Sequence, residues 1–168
     1  ALHGGFVLAR QIAPPDVVRL PVPDGLACAL LHPHLSVNTG MARALLGETV
    51  PLRDAVRQWG NLGALVAALF TSDRALLARS LEDVIVEPRR APLVPGFFAV
   101  KAAALAAGAL GCSLSGSGPS MFALTSTLDN ARAAGEAMQR TFAEHSDAGA
   151  DLYVSLVGRA GARLVTAA

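Results

Sequence analysis

The chain has 168 residues, a formal net charge of +1, 52% apolar and 16% charged residues. That length supports a domain with a real core, and the near-neutral charge excludes the basic excess of a nucleic-acid or membrane-surface binder. Cys28 and Cys112 lie far apart and outside any CxxC pair, so two reduced thiols are expected rather than a disulfide framework. In chain order, Phe6 to Ala9 and Val17 to Leu20 are short apolar runs split by Pro14-Pro15-Asp16, a hairpin or two edge strands. Leu26 to Leu31 reads as a buried strand, and Thr39 to Leu46 as a short helix. Pro51 suits a first helical position, and Leu52, Ala55, Val56, Trp59, Leu62, Val66 and Leu69 recur at helical spacing behind it. That spacing assigns Trp59 to the core. Ser72 is the expected N-cap of a helix through Ser80.

Glu87-Pro88 breaks the chain before Arg89-Arg90, and Gly96 to Leu110 reads as a second long helix. Met121 to Leu124 is strand-like, and Leu128 to His145 is a third helix with Ala131, Ala134, Met138 and Phe142 on one face. Leu152 to Val157 and Ala162 to Val165 read as a closing hairpin. Helices and strands thus alternate with short connections. The expected fold class is α+β, two layers with a mainly antiparallel sheet.

The stretch most suggestive of chemistry is Gly111 to Ser120, GCSLSGSGPS. Glycine permits positive φ and close backbone approach, so N–H groups at Ser115, Gly116, Ser117 and Gly118 can converge on an anion, with serine hydroxyls beside them. On the element reading the loop leads from a helix into a strand, the reverse of a P-loop, and it lacks Gly-Lys-Ser/Thr. An ordinary Gly/Ser turn is the plain alternative. Arg43 follows Thr39 by one helical turn, so the two share a face; an arginine fork suits a carboxylate and a hydroxyl suits a phosphate or substrate oxygen. Asp83 and Glu87 are read as surface charges or partners of Arg89 and Arg90. His32 and His34 are read as a surface turn, since two neighbouring ligands do not make a metal site, and no metal ligand is assigned in this chain. His3 and His145 are expected to face solvent.

GCSLSGSGPSMFAL, HPHLSVNTGMARALL, SLEDVIVEPRRAPLVPGFF and the opening HGGFVL together resemble the homoserine kinase family, within the galactokinase, homoserine, mevalonate and phosphomevalonate (GHMP) kinase superfamily. The resemblance runs from Ala1 to about Val165. It implies a ferredoxin-like sandwich with helices on one face, residues 1–24 ending the N-terminal domain or connecting to it, and residues 25–168 forming the C-terminal domain. It implies phosphoryl transfer from ATP, with Mg2+, to the side-chain hydroxyl of L-homoserine in threonine biosynthesis, in the cytoplasm and as a homodimer. Arg43 and Arg90 match the family's carboxylate-binding arginines, with Arg89 the alternative to Arg90. Thr39 matches a catalytic hydroxyl beside the transferring group. Nothing in the chain resembles the family's nucleotide loop or its acidic Mg2+ ligand, which belong to the N-terminal half. The expectation is therefore a C-terminal half, inactive without the missing N-terminal half as its partner. Another superfamily kinase acting on a different small alcohol, or a non-catalytic module for amino-acid binding or dimerisation, are the alternatives.

Overall fold

The computed structural model describes residues 2–158 and 160–162; the side chains of Thr39 and Met41 stand outside that description. Phe6–Gln11 (β1) and Asp16–Leu20 (β2) pair antiparallel as a two-stranded sheet of their own, the expected hairpin. Ala27–Pro33 (β3), Ala109–Leu114 (β4), Met121–Thr125 (β5) and Ala150–Leu156 (β6) form a second, antiparallel sheet in the order β4-β5-β3-β6. Alternation along β3 sets its two faces. Ala27, Ala29 and Leu31 are fully buried on one side, whereas Cys28 and Leu30 are half-buried on the other.

The first face is covered by two helices, Phe97–Ala106 (α5) and Leu128–Ala143 (α6). Phe97 and Val100 from α5, and Ala134, Met138 and Phe142 from α6, pack there against Ala29, Leu31 and Met121. Thr127 caps α6 by accepting the Asn130 N–H at 3.1 Å. The short helix Thr39–Ala44 (α1) is followed by Leu52–Thr71 (α2) and Arg74–Ser80 (α3). Ala68, Leu69 and Leu77 from α2 and α3 meet Leu26 and Leu124 in a smaller cluster on the other face. The expected α+β class, with a mainly antiparallel sheet and a helical layer, is the fold observed.

Several boundaries differ from the sequence reading. The long helix ends at Ala106 rather than Leu110, because Gly108 turns back at φ +95° and β4 begins at Ala109. The Gly/Ser loop therefore joins two strands of one sheet, not a helix to a strand. Ser72 does not cap α3: it closes α2 in a left-handed conformation, and Asp73 accepts the Leu76 N–H at 2.9 Å instead. Trp59 is 63% exposed, since α2 turns Ala55, Ala68 and Leu69 inward and leaves Leu52, Val56, Trp59 and Phe70 outside. The expected strand Leu152 to Val157 is found as β6, Ala150–Leu156, but it pairs with β3. Its supposed partner, Ala162 to Val165, lies outside the described residues after its first position.

Register places Cys28 and Cys112 on opposite faces, Cys28 with the α2–α3 cluster and Cys112 beneath α5. Both are free thiols. Burial pushes the Cys28 thiol up to about 11 and the Cys112 thiol up to about 12, the latter against the attraction of Lys101. An unfolded chain releases these protons near pH 8.5, whereas the folded one retains them, so the unfolded state binds fewer protons above that pH. Stability should then fall as pH rises, by about 1.4 kcal/mol per pH unit for Cys112. Urea unfolding at pH 9 and 10 checks this: Cys112→Ala should flatten the decline, and an unchanged slope would contradict it.

Candidate active site

Three short pieces of chain meet at one place: α1, the one-turn helix Glu87–Arg90 (α4) and the β4–β5 loop. Asp83 starts the turn into α4, its Oδ1 accepting the N–H groups of Ile85 and Val86 at 2.9 and 2.8 Å. Pro88 occupies an early helical position, where its missing N–H costs nothing. Arg90, at the end of α4, donates from Nε to the Ala42 carbonyl at 3.2 Å and from Nη1 to the Gly116 carbonyl at 3.3 Å. One guanidinium thus bridges α1 and the Gly/Ser loop. The neighbouring Arg89 points elsewhere, its Nη1 lying near Gly47.

Arg43 immediately follows Ala42 in α1 and is exposed. No contact among the described residues ties its side chain to Arg90 or to the loop. Thr39 opens α1, but its side chain lies outside the described residues. The loop is a tight hairpin: the Ser115 N–H donates to the Ser120 carbonyl at 2.8 Å, and the Gly118 N–H to the Ser115 carbonyl at 3.2 Å. Gly116 and Gly118 have φ of +64° and +78°, a region costly for residues with a Cβ. No backbone acceptor is paired with the N–H of Gly116 or Ser117 among the described residues. Ser115 and Gly116 are exposed, and the Ser117 hydroxyl lies 3.4 Å from the Gly118 carbonyl. Exposed N–H groups and hydroxyls beside a guanidinium suit an anion.

Sequence reasoning missed what lies under this junction. Glu87 is neither a surface charge nor a partner of the arginines beside it. Its side chain is 7% exposed, and its carboxylate accepts from Lys101 Nζ at 2.5 Å and from Ser113 Oγ at 2.5 Å. The signal was Lys101 itself, the single lysine of the chain, set in the alanine-rich run of α5. Asp83 is also spent internally, on backbone. His32 lies within β3, exposed, with Nδ1 2.8 Å from Ser120 Oγ; His34 Nε2 lies 3.1 Å from Asp151, both half-exposed. Among the described residues no group of three or more His, Cys, Asp or Glu side chains is placed to hold a metal ion. No helix there is long and apolar enough to cross a membrane.

Residues 62–144 match the family model described as GHMP kinases C terminal. The chain carries a GHMP kinase C-terminal domain. Curated relatives agree: homoserine kinase of Chlorobium phaeovibrioides is 54% identical over 98% of this chain and 52% of its own length. Homoserine kinase of Arabidopsis thaliana is 39% identical over 98% of this chain and 45% of its own length. The crystal structure of homoserine kinase from Cytophaga hutchinsonii superposes with a TM-score of 0.91 at 52% identity, over 95% of this chain and 50% of that one. The chain spans about half the length of the curated relatives it matches, and aligns with their C-terminal half. Within this GHMP kinase domain, the matched span takes in Arg90, the buried Glu87–Lys101 pair and the Gly/Ser loop. It leaves α1, with Thr39 and Arg43, upstream.

Proposed function

We propose that the chain is the C-terminal half of an enzyme that transfers the γ-phosphoryl group of ATP to the side-chain hydroxyl of L-homoserine, a step of threonine biosynthesis in the cytoplasm. The observation that carries this reading is the Arg90 bridge between α1 and the Gly/Ser loop, in a chain whose curated relatives are called homoserine kinase. Arg43 and Arg90 take the substrate carboxylate, a planar group that suits guanidinium forks. Thr39, at the start of α1, is assigned the hydroxyl that assists the reacting oxygen. The Gly116 and Ser117 N–H groups, with the hydroxyls of Ser115 and Ser117, face the phosphoryl oxygens, and Gly118 lets the hairpin close behind them. Phosphoryl transfer draws its acceleration mainly from positioning and charge stabilisation, so no general base among these residues is required. Mg2+ would neutralise phosphate charge, and the described residues offer no ligand cluster for it. ATP likewise depends on the N-terminal half.

The division at residue 24 is supported by the separate β1–β2 sheet, which we assign to the connection with the N-terminal domain. The exposed apolar side of α2 suits association with the rest of the same polypeptide, and a homodimer of the whole enzyme is part of the proposal. The test is ATP turnover by the full-length protein. We expect strict dependence on L-homoserine, and none from the 168-residue chain alone. Turnover with another small alcohol but not homoserine would move the protein elsewhere in the superfamily. No turnover with any alcohol would leave a binding module.

A further inference from the structure

The buried Glu87–Lys101–Ser113 group has a role beyond packing: we propose that it positions the Arg90 guanidinium for substrate. This rests on the reading above, in which Arg90 binds the homoserine carboxylate. A single helical turn has no stability of its own, so α4 takes its orientation from its anchors. Glu87 is its first residue and Arg90 its last. The Glu87 carboxylate is tied to α5 through Lys101 and to β4 through Ser113. Ser113 stands two residues before the loop whose Gly116 carbonyl accepts from Arg90.

The bonds therefore close a ring, from Glu87 to Ser113, along the strand to Gly116, across to Arg90 and back through one turn of helix. Rotation of α4 would break both ends at once. A buried ion pair is a poor source of stability, because desolvation offsets the attraction, and an apolar pair of similar volume often serves as well. Fixing one geometry is what the pair supplies here. Lys101 neutralises the carboxylate, and Ser113 sets its direction.

The experiment is a double-mutant cycle in the full-length protein, read as KM for homoserine and for ATP. Glu87→Gln should raise the homoserine KM about tenfold and leave that for ATP within about twofold. In an Arg90→Ala background the same change should add less than about twofold, because the group acts through Arg90. An equal increase in both backgrounds, or an ATP KM rising in step, would overturn the proposal. Ser113→Ala leaves no unpaired buried charge and covers the case in which Glu87→Gln fails to fold. It should raise the homoserine KM about threefold, only while Arg90 is present. If Arg90→Ala alone leaves the homoserine KM unchanged, the substrate role of Arg90 fails and the positioning role falls with it. An additive cycle in an enzyme sensitive to Arg90→Ala removes the positioning role alone.

Discussion

Replacing Arg43 by lysine in the full-length protein is expected to lower kcat/KM for homoserine almost as far as replacing it by alanine. The loss should be on the order of 2–4 kcal/mol, about 30- to 1000-fold, because the substrate carboxylate loses its fork in both variants and, with alanine, its counter-charge as well. An ammonium keeps the charge but offers no second parallel N–H. The fold should not respond, since Arg43 is exposed on α1 while the neighbouring Ala42 is the buried residue. Steady-state kinetics and a melting curve on the same preparations decide the matter. Near-normal kcat/KM in both variants would remove Arg43 from the substrate site.

The largest effect on stability is expected at Phe142. This side chain is 1% exposed in the cluster between α6 and the sheet, and truncation to alanine should cost about 3–5 kcal/mol. In a domain of this size that corresponds to a melting temperature lower by roughly 6–20 °C. Trp59→Ala is the control: at 63% exposure it should cost no more than about 0.5 kcal/mol in the 168-residue chain. Denaturant unfolding of both variants separates them. Equal losses would mean that Trp59 is covered, contrary to the packing described.

Those two aromatics also mark where sequence patterning succeeded and where it misled. Along α6, Ala131, Ala134, Met138 and Phe142 form one apolar stripe against polar remainder, so period and burial agree. Along α2 the more regular apolar stripe is the outer one. The inner side is mixed: Gln58 accepts the Val84 N–H at 3.0 Å and Asn61 donates to the Glu82 carbonyl at 2.8 Å. Periodicity identifies a stripe but not what faces it. In Ala102 to Gly111, alanine's helix propensity masked the end of α5, although Gly108 is a helix terminator at a conventional place. The loop glycines and Arg43 were legible as types suited to anions. The contact between Arg90 and Gly116 was not, because twenty-six residues separate them and only the fold closes that distance. Glu87 was misassigned for the same reason: nothing local distinguishes a carboxylate bound to Lys101 from a solvated one.

The strand order has a consequence for how the chain is made. β3 is synthesised first among the four strands of its sheet, yet it lies between β5 and β6, the last two. Its first pairing, Leu31 with Met121, waits for ninety further residues, roughly 5–20 s of translation. During that interval Ala27 to Leu31 is an uncharged, apolar segment with both edges unpaired, the composition that invites intermolecular strand pairing. Non-local closure of this kind is also slow, since loop entropy must be overcome before any ladder bond forms. A ribosome stalled before Met121 holds the central strand of the domain with neither neighbour.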